Sequence, residues 1–145
     1  ASTARIQEAL EMVGADDFIR RLPMGLDHPI QEGGIGLSGG QKQAILLARL
    51  VLRDPSVVLL DEPTAAMDDA AERHFIQRFG DWSLGRTVVI ATHRMRVLDA
   101  VSRIVVVDGG RIVLDGAKDA VLDTGGSSVR IHKPVVASRD QGETA

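Results

Sequence analysis

The 145-residue sequence contains no cysteine and no tyrosine, and its large aromatic residues are only three phenylalanines and one tryptophan. The absence of cysteine excludes disulfides and thiolate metal sites, and it fits a reducing compartment. With so few aromatic residues, the chain has no platform on which nucleic-acid bases stack. Its 17 basic residues are interspersed with 20 acidic ones, which leaves a net charge of −3 and no basic stripe. We therefore expect no nucleic acid among its partners.

Long apolar runs are also absent, since stretches such as Val57–Leu60 are far shorter than the ~20 residues that cross a bilayer. A further absence concerns a short motif, because no Gly-x-x-x-x-Gly-Lys-Ser/Thr phosphate-binding loop occurs in the chain. What is present is ordinary for one globular domain: hydrophobic residues make up 44% and charged residues 26%.

Apolar residues recur at helical spacing in the first half of the chain. Ile6, Leu10 and Val13 fall on one helical face, and a glycine-rich stretch further along predicts a loop. Ser38 begins a longer helix, which we expect to end before Pro55 because proline restricts the residue that precedes it. The predicted elements here are helices over 3–13, 16–22 and 38–52 and a loop over 25–36.

The second half of the chain alternates short apolar runs with helical segments. Val57–Leu60 and Thr87–Ala91 are rich in branched residues and predict strands that are covered on both faces, as in a parallel sheet. Gly109 and Gly110 separate two further runs and predict a hairpin. The other predicted elements are helices over 69–79, 94–100 and 117–122, hairpin strands over 103–108 and 111–115, and a poorly ordered tail over 125–145.

The run Leu37-Ser38-Gly39-Gly40-Gln41 opens the long helix with two consecutive glycines. Glycines let backbone amides approach a phosphate closely, and the N-terminus of a helix supplies partial positive charge. Ser38 adds a hydroxyl group to this potential anion site. The alternative is that Ser38 only caps the helix and that the glycines form a tight turn.

Two carboxylates, Asp61 and Glu62, follow the first predicted strand. Ligands of open α/β sheets lie at the carboxyl ends of parallel strands. In phosphoryl transfer one carboxylate commonly holds Mg²⁺ while another group orients the attacking water, so we expect Asp61 to serve the metal and Glu62 the water. Alternatively, Asp61 caps the next turn and Glu62 forms a surface ion pair.

His93 follows the second predicted strand and is expected at the same edge of the sheet, within reach of a terminal phosphate. The alternative is a histidine that only caps the strand end beside Thr92. Asp68 lies between the carboxylate pair and the next helix, where either an N-cap or a functional acid fits the pattern.

In this order, the motifs resemble the C-terminal part of an ABC transporter nucleotide-binding domain, over residues 3–122. The correspondences are the signature at Leu37–Gln41, the Walker B strand at Val57–Asp61, the catalytic glutamate at Glu62, the D-loop at Ala66–Asp68 and the switch histidine at His93. Gln31–Gly36 and the D-loop residue Met67 are most similar to exporters of type I secretion systems. Ala65, where serine is common, and Ser102, where aspartate usually stands, are small departures.

The resemblance implies a partial P-loop NTPase fold of the α/β class, with parallel core strands, part of the helical subdomain and no Walker A portion. It implies a helical and signature region over about 1–52, and a region from Walker B to the C-terminal hairpin over about 53–124. The Walker A loop, the adenine-stacking aromatic residue and the Q-loop have no counterpart in the chain, and we expect them to precede Ala1.

The resemblance also implies an ATPase that uses ATP and Mg²⁺, works as a head-to-tail homodimer and powers export of a polypeptide. Leu37, Ser38, Gly39, Gly40 and Gln41 then bind, in trans, the ATP that a second nucleotide-binding domain holds with its Walker A loop. The remaining roles are magnesium binding by Asp61, polarisation of water by Glu62, contact with the γ-phosphate by His93 and connection of the two sites by Asp68.

The other implied partners are a fused or associated transmembrane domain, a periplasmic adaptor and an outer-membrane channel, at the cytoplasmic face of the inner membrane. The chain by itself is expected to be inactive. Two alternatives stay open, namely the ATPase head of a DNA-repair or chromosome-maintenance protein and a non-catalytic module that contributes only a signature surface. A heptad segment or a basic face would favour the first alternative, and the sequence has neither.

Overall fold

The computed structural model describes residues 1–125, so the predicted tail over 125–145 lies outside the described residues except for Gly125. Helices and strands alternate in the order that the sequence predicts. The helices are α1 Thr3–Met12, α2 Asp16–Arg20, α3 Gly39–Arg53, α4 Asp69–Trp82 and α5 Lys118–Gly125. The strands are β1 Val57–Asp61, β2 Thr87–Ala91, β3 Arg103–Asp108 and β4 Arg111–Ala117.

Serine side chains begin two of the helices. At α1 the Ser2 side chain accepts a hydrogen bond from the backbone N–H of Arg5. At α3 the bonds are reciprocal, since Gln41 N–H donates to Ser38 Oγ and Ser38 N–H donates to the Gln41 side chain. The other end of α3 is closed by Asp54, which adopts a left-handed conformation with a φ of 50°. These caps satisfy backbone groups that a helix end leaves free, so the predicted bounds of both helices are close to the observed ones.

The four strands form two separate two-stranded sheets within the described residues. β1 and β2 pair in parallel, with Asp61 opposite Ala91 at the end of the register. β3 and β4 form the predicted antiparallel hairpin around Gly109 and Gly110, whose φ angles are 53° and 75°. Positive φ angles at both positions are what the favoured two-residue hairpin turn requires.

The hydrophobic core lies between the parallel strand pair and the helices, with α1 packed on both α3 and α4. Phe75 and Phe79 of α4 are 2% and 1% exposed, and their ring centroids are 5.0 Å apart. Val58 of β1 belongs to the same cluster and is 1% exposed. The core therefore supports one face of β1.

The prediction that both parallel strands are covered on both faces is wrong for the described residues. On the face opposite to Val58, the side chains of Val57 and Leu59 are 58% and 75% exposed, and Val89 of β2 is 55% exposed. The helices that contribute to the hydrophobic core pack on the face of β1 that carries Val58. An apolar run thus predicts a strand, but it does not show which neighbours cover each face.

Two shorter predictions also need correction. The predicted loop over 25–36 contains two 3₁₀ turns, Gly25–Asp27 and Glu32–Gly34, and the predicted helix over 94–100 is a 3₁₀ helix over Met95–Ala100. Short helical segments often adopt the tighter 3₁₀ form, in which hydrogen bonds join residues i and i+3. Apolar periodicity does not distinguish the two helix types over so few residues. Among residues 1–125, no helix is both long and apolar enough to cross a membrane.

Replacing Phe79 by Ala is expected to lower the free energy of unfolding by about 3–5 kcal/mol, because the change leaves a cavity in the core. Leu84→Ala is the control, since Leu84 is 75% exposed. It is expected to change the free energy by less than about 0.5 kcal/mol. Urea unfolding followed by circular dichroism measures both values, and equal losses in the two variants would contradict this location of the core.

Candidate functional site

The carboxyl ends of β1 and β2 lie side by side, as the sequence predicts. The register ends with Asp61 opposite Ala91, and the backbone N–H of Glu62 donates to the Ala91 carbonyl oxygen at 2.9 Å. The residues after the two strands are therefore neighbours, with Glu62 on one side and Thr92 and His93 on the other. This edge is where open α/β sheets bind their ligands.

The Glu62 side chain is held by the loop that follows β2. Its Oε1 accepts from the backbone N–H of His93 at 3.0 Å and lies 2.6 Å from His93 Nδ1. Its Oε2 accepts from the Thr92 hydroxyl at 3.1 Å. Glu62 also has a φ of 44°, in a left-handed region that few residues other than glycine adopt. The surrounding hydrogen bonds stabilise this uncommon conformation.

These contacts determine the charge of Glu62 and the proton position on His93. Partial burial raises the pKa of Glu62, but the hydrogen bonds from His93 and Thr92 outweigh it, so the pKa lies below its ordinary value of 4.5. Because an ionised carboxylate only accepts hydrogen bonds, the hydrogen of the His93–Glu62 contact belongs to Nδ1. The His93 side chain is 66% exposed, which leaves Nε2 available to a ligand.

Asp61 differs from its neighbour in having a free carboxylate. It is the last residue of β1 and is exposed. Within residues 1–125, its side chain has neither a hydrogen-bond partner nor an ion-pair partner, so it does not cap the following turn. No group of three or more acidic or histidine side chains that could hold a metal occurs in the described part of the chain. Asp61 is thus a single available oxygen ligand.

The start of α3 packs against the turn that follows Glu62. A Cβ atom at Gly40 would lie 2.8 Å from the Ala66 carbonyl oxygen, so this close approach of two backbones requires glycine. Ser38 caps α3, as the alternative interpretation has it, and it is exposed. Because its Oγ accepts the hydrogen of the Gln41 N–H, its hydroxyl hydrogen is still free to be donated. Capping and anion binding by Ser38 are therefore compatible.

Asp68 is the N-cap of α4. Its side chain accepts hydrogen bonds from the backbone N–H groups of Ala70 and Ala71 at 3.0 and 2.8 Å. This is the capping alternative described above, and it fixes the turn from Ala65 to Asp68 to the start of the helix.

A buried polar cluster that was not predicted from the sequence lies beneath this turn. Thr64 and Glu72 are 0% and 3% exposed, and Glu72 Oε1 accepts from the Thr64 hydroxyl at 2.7 Å and from Arg94 at 2.9 Å. Burial raises the pKa of Glu72, but these hydrogen bonds and the charges of Arg94 and Arg96 outweigh it, so the pKa lies below 4.5. A signal was present, since Glu72 lies three residues before Phe75 on the apolar face of α4.

The sequence profile described as ABC transporter matches residues 1–65. CyaB of Bordetella pertussis, a cyclolysin secretion/processing ATP-binding protein, is 42% identical over 133 residues, which cover 91% of this chain and 18% of CyaB. The chain belongs to the ABC transporter family. The ATP-dependent lipid A-core flippase of Shewanella oneidensis is 40% identical over 129 residues, which cover 89% of this chain and 22% of the flippase.

A solved structure shares the fold of this ABC transporter chain. It is described as a bacterial Atm1-family ABC exporter with ATP bound, and it matches with a TM-score of 0.77 and 33% identity, over 86% of this chain and 22% of that chain. The described residues thus have the fold of part of an ABC exporter ATPase, a P-loop NTPase, without the Walker A portion. The chain spans about a fifth of the length of the curated relatives it matches.

Acid is expected to destabilise this ABC transporter chain through Glu62 and Glu72. Because the folded pKa of each carboxyl lies below the unfolded value, its stabilising contribution is present above about pH 4.5 and is lost as the pH falls through the folded pKa. Urea unfolding from about pH 6 to pH 3 measures this loss as a decrease in the free energy of unfolding. We expect a smaller decrease in Glu72→Gln than in the wild type. Glu8→Gln, at an exposed carboxyl of α1, is the control and keeps the wild-type dependence. If Glu72→Gln showed the pH dependence of the wild type, the stabilising role assigned to the Glu72 carboxylate would be contradicted.

Proposed function

We propose that this chain is the signature and Walker B part of an ATPase that powers export of a polypeptide across a membrane. One observation carries the proposal: at the carboxyl edge of the parallel strands, the Glu62 carboxylate is held by His93 and Thr92, next to the free carboxylate of Asp61. A negatively charged acceptor held in place beside an available oxygen ligand is the arrangement that hydrolysis of a phosphoanhydride needs.

Asp61 is the residue that fits Mg²⁺. Magnesium prefers oxygen ligands, keeps several waters and is commonly bound through one or two carboxylates together with substrate phosphates. A single free carboxylate at the end of a strand fits this mode of coordination, which does not require a complete set of protein ligands. When bound, Mg²⁺ would neutralise charge on the phosphates of ATP.

Glu62 orients the attacking water in this proposal. Its low pKa makes the carboxylate a weak base at neutral pH, so its contribution is to align and polarise the water more than to remove a proton beforehand. His93 and Thr92 supply three donors to the two carboxylate oxygens, which offer about four acceptor positions. One position therefore stays open to a water molecule.

His93 contacts the γ-phosphate through Nε2. Since Nδ1–H is already used on Glu62, donation from Nε2 to a phosphate oxygen requires the doubly protonated ring. His93 thereby connects the bound nucleotide to the residue that orients water.

The signature residues act on the ATP of a second nucleotide-binding domain. In this proposal the phosphate is bound by Leu37, Ser38, Gly39, Gly40 and Gln41. Ser38 and Gly39 are exposed at the N-terminus of α3, and Ser38 has a free hydroxyl hydrogen, and both features favour phosphate binding. We also propose the division of the chain into a helical and signature region over about 1–52 and a Walker B region over about 53–124, with Asp68 connecting the two sites of a homodimer.

A polypeptide is the proposed cargo because CyaB, a cyclolysin secretion/processing protein, is 42% identical to the chain. The corresponding partners are a transmembrane domain, a periplasmic adaptor and an outer-membrane channel, at the cytoplasmic face of the inner membrane. ATP and Mg²⁺ are the proposed cofactors. The names of the two relatives reported above refer to secretion and to a lipid A-core flippase, and neither name supports an ATPase head that acts on DNA.

The 145-residue chain alone is expected to show no appreciable ATP turnover. Without a Walker A loop, the γ-phosphate loses the lysine and the amide cradle that position it and stabilise its charge. Release of inorganic phosphate from ATP and Mg²⁺ measures turnover, with CyaB as the positive control. Steady turnover by the isolated chain would contradict the proposal that it forms only part of an ATP site. Tight binding of ATP by the chain without any partner would contradict it as well.

Glu62→Gln is expected to reduce hydrolysis at least about 100-fold in an assembled ATPase, because the amide loses the negative charge that polarises water. The assay uses a chimaera in which residues 1–125 replace the aligned segment of CyaB, with Glu8→Gln as the control. Closure of the ATP-bound dimer is expected to persist in Glu62→Gln. Retained hydrolysis would remove Glu62 from its role, and a chimaera inactive even without substitutions would overturn the ATPase proposal.

The cargo is tested with the same graft in two hosts. The chimaera with CyaB is expected to support cyclolysin secretion by cells, whereas the matching chimaera with the Shewanella oneidensis flippase is expected to function less well than its parent. Full function in the flippase together with lost secretion in CyaB would contradict a polypeptide cargo.

A further inference from the structure

Two buried polar side chains lie beneath the turn that connects β1 to α4. Thr64 and Glu72 are 0% and 3% exposed, and the Thr64 hydroxyl donates to Glu72 Oε1 at 2.7 Å. A buried carboxylate is costly unless it is paired, so its partners are held firmly. The partner here comes from a different segment of the chain, which makes this cluster more than a local turn motif.

That partner is Arg94, whose guanidinium group joins three segments. One nitrogen donates to Glu72 Oε1 at 2.9 Å on α4, and the other donates to the Ala65 carbonyl oxygen at 3.3 Å in the turn after β1. Arg94 itself belongs to the segment that follows β2. The two terminal nitrogens of a planar guanidinium can serve both acceptors at once, whereas the single ammonium of lysine is less suited to this geometry.

The backbone of Arg94 continues the chain of contacts towards Glu62. Its N–H donates to the Thr92 hydroxyl oxygen at 3.1 Å. Because that oxygen receives this hydrogen, the single hydroxyl hydrogen of Thr92 is directed elsewhere, and it is donated to Glu62 Oε2 at 3.1 Å. The position of Arg94 therefore influences the hydrogen bonds that hold the Glu62 carboxylate.

We infer that Glu72 and Arg94 are positioning residues for the Glu62–His93 pair. Glu72, anchored by Thr64, holds the Arg94 side chain, and the Arg94 backbone in turn holds Thr92 and His93 against the Glu62 carboxylate. Neither residue touches nucleotide in this inference. The functional part of the inference rests on the function proposed above, whereas the structural part does not.

Arg96 provides a matched control. It also faces Glu72, with a nitrogen 3.6 Å from Oε2, and it pairs with Asp69 at 3.1 Å. Among the described residues it forms no hydrogen bond with Ala65 or Thr92. Removing Arg96 therefore takes one positive charge from the same carboxylate without breaking the connection to Glu62.

The structural part is tested on the full 145-residue chain by amide hydrogen exchange measured with NMR. The readout is the exchange rate of the His93 amide divided by that of Ile76, a residue inside α4 that reports on the stability of the fold. Glu72→Gln and Arg94→Lys are each expected to raise this ratio about tenfold, the effect of weakening one hydrogen bond. Arg96→Gln is expected to leave the ratio at its wild-type value.

If the ratio were unchanged in both Glu72→Gln and Arg94→Lys, the inference would be overturned. Equal acceleration of the His93 and Ile76 amides would mean only that the whole fold is less stable.

The functional part is tested in the chimaera with CyaB. Arg94→Lys is expected to lower kcat at least about tenfold and to leave KM for ATP within about twofold. Unchanged kcat would overturn the functional part. The exchange experiment contains no nucleotide, so an inactive chimaera would refute the proposed function without affecting the exchange result.

Discussion

The parallel register of β1 and β2 is the constraint on which the site depends. It ends with Asp61 opposite Ala91, and the backbone N–H of Glu62 extends it by one more hydrogen bond to Ala91. A shift by one residue would turn Val58 from the core to the exposed face and would separate Glu62 from His93. The burial of Val58 and the assembly of the site are thus consequences of the same alignment.

The hydrogen bonds to the Glu62 side chain affect both its backbone conformation and its charge. Its left-handed φ of 44° is uncommon for a residue with a side chain, and the donors from Thr92 and His93 help to keep it there. The same donors lower its pKa, so the carboxylate stays charged. A charged acceptor that is already oriented needs little reorganisation when a water molecule binds beside it.

The signature helix, the turn over residues 65–68 and the loop after β2 form one connected structure around the strand ends. Gly40 allows the backbone of α3 to approach Ala66, while Arg94 holds the other side of the same turn through Ala65 and Glu72. Elements that bear the sequence motifs are therefore in contact within one chain, even where they are proposed to act on different nucleotides.

Local sequence determined most of the secondary structure. Capping at Ser38, apolar periodicity in α1 and α3, and the glycine pair of the hairpin are signals contained within a few neighbouring residues, and each predicted its element correctly. Tertiary structure alone decided that Leu59 is exposed, that Glu72 is buried and paired with Arg94, and that His93 Nδ1 binds Glu62. The physical reason is that the Glu72–Arg94 and Glu62–His93 contacts join residues 22 and 31 positions apart, and that the exposure of Leu59 depends on which elements pack on β1. Packing between distant elements leaves no periodic trace in the sequence.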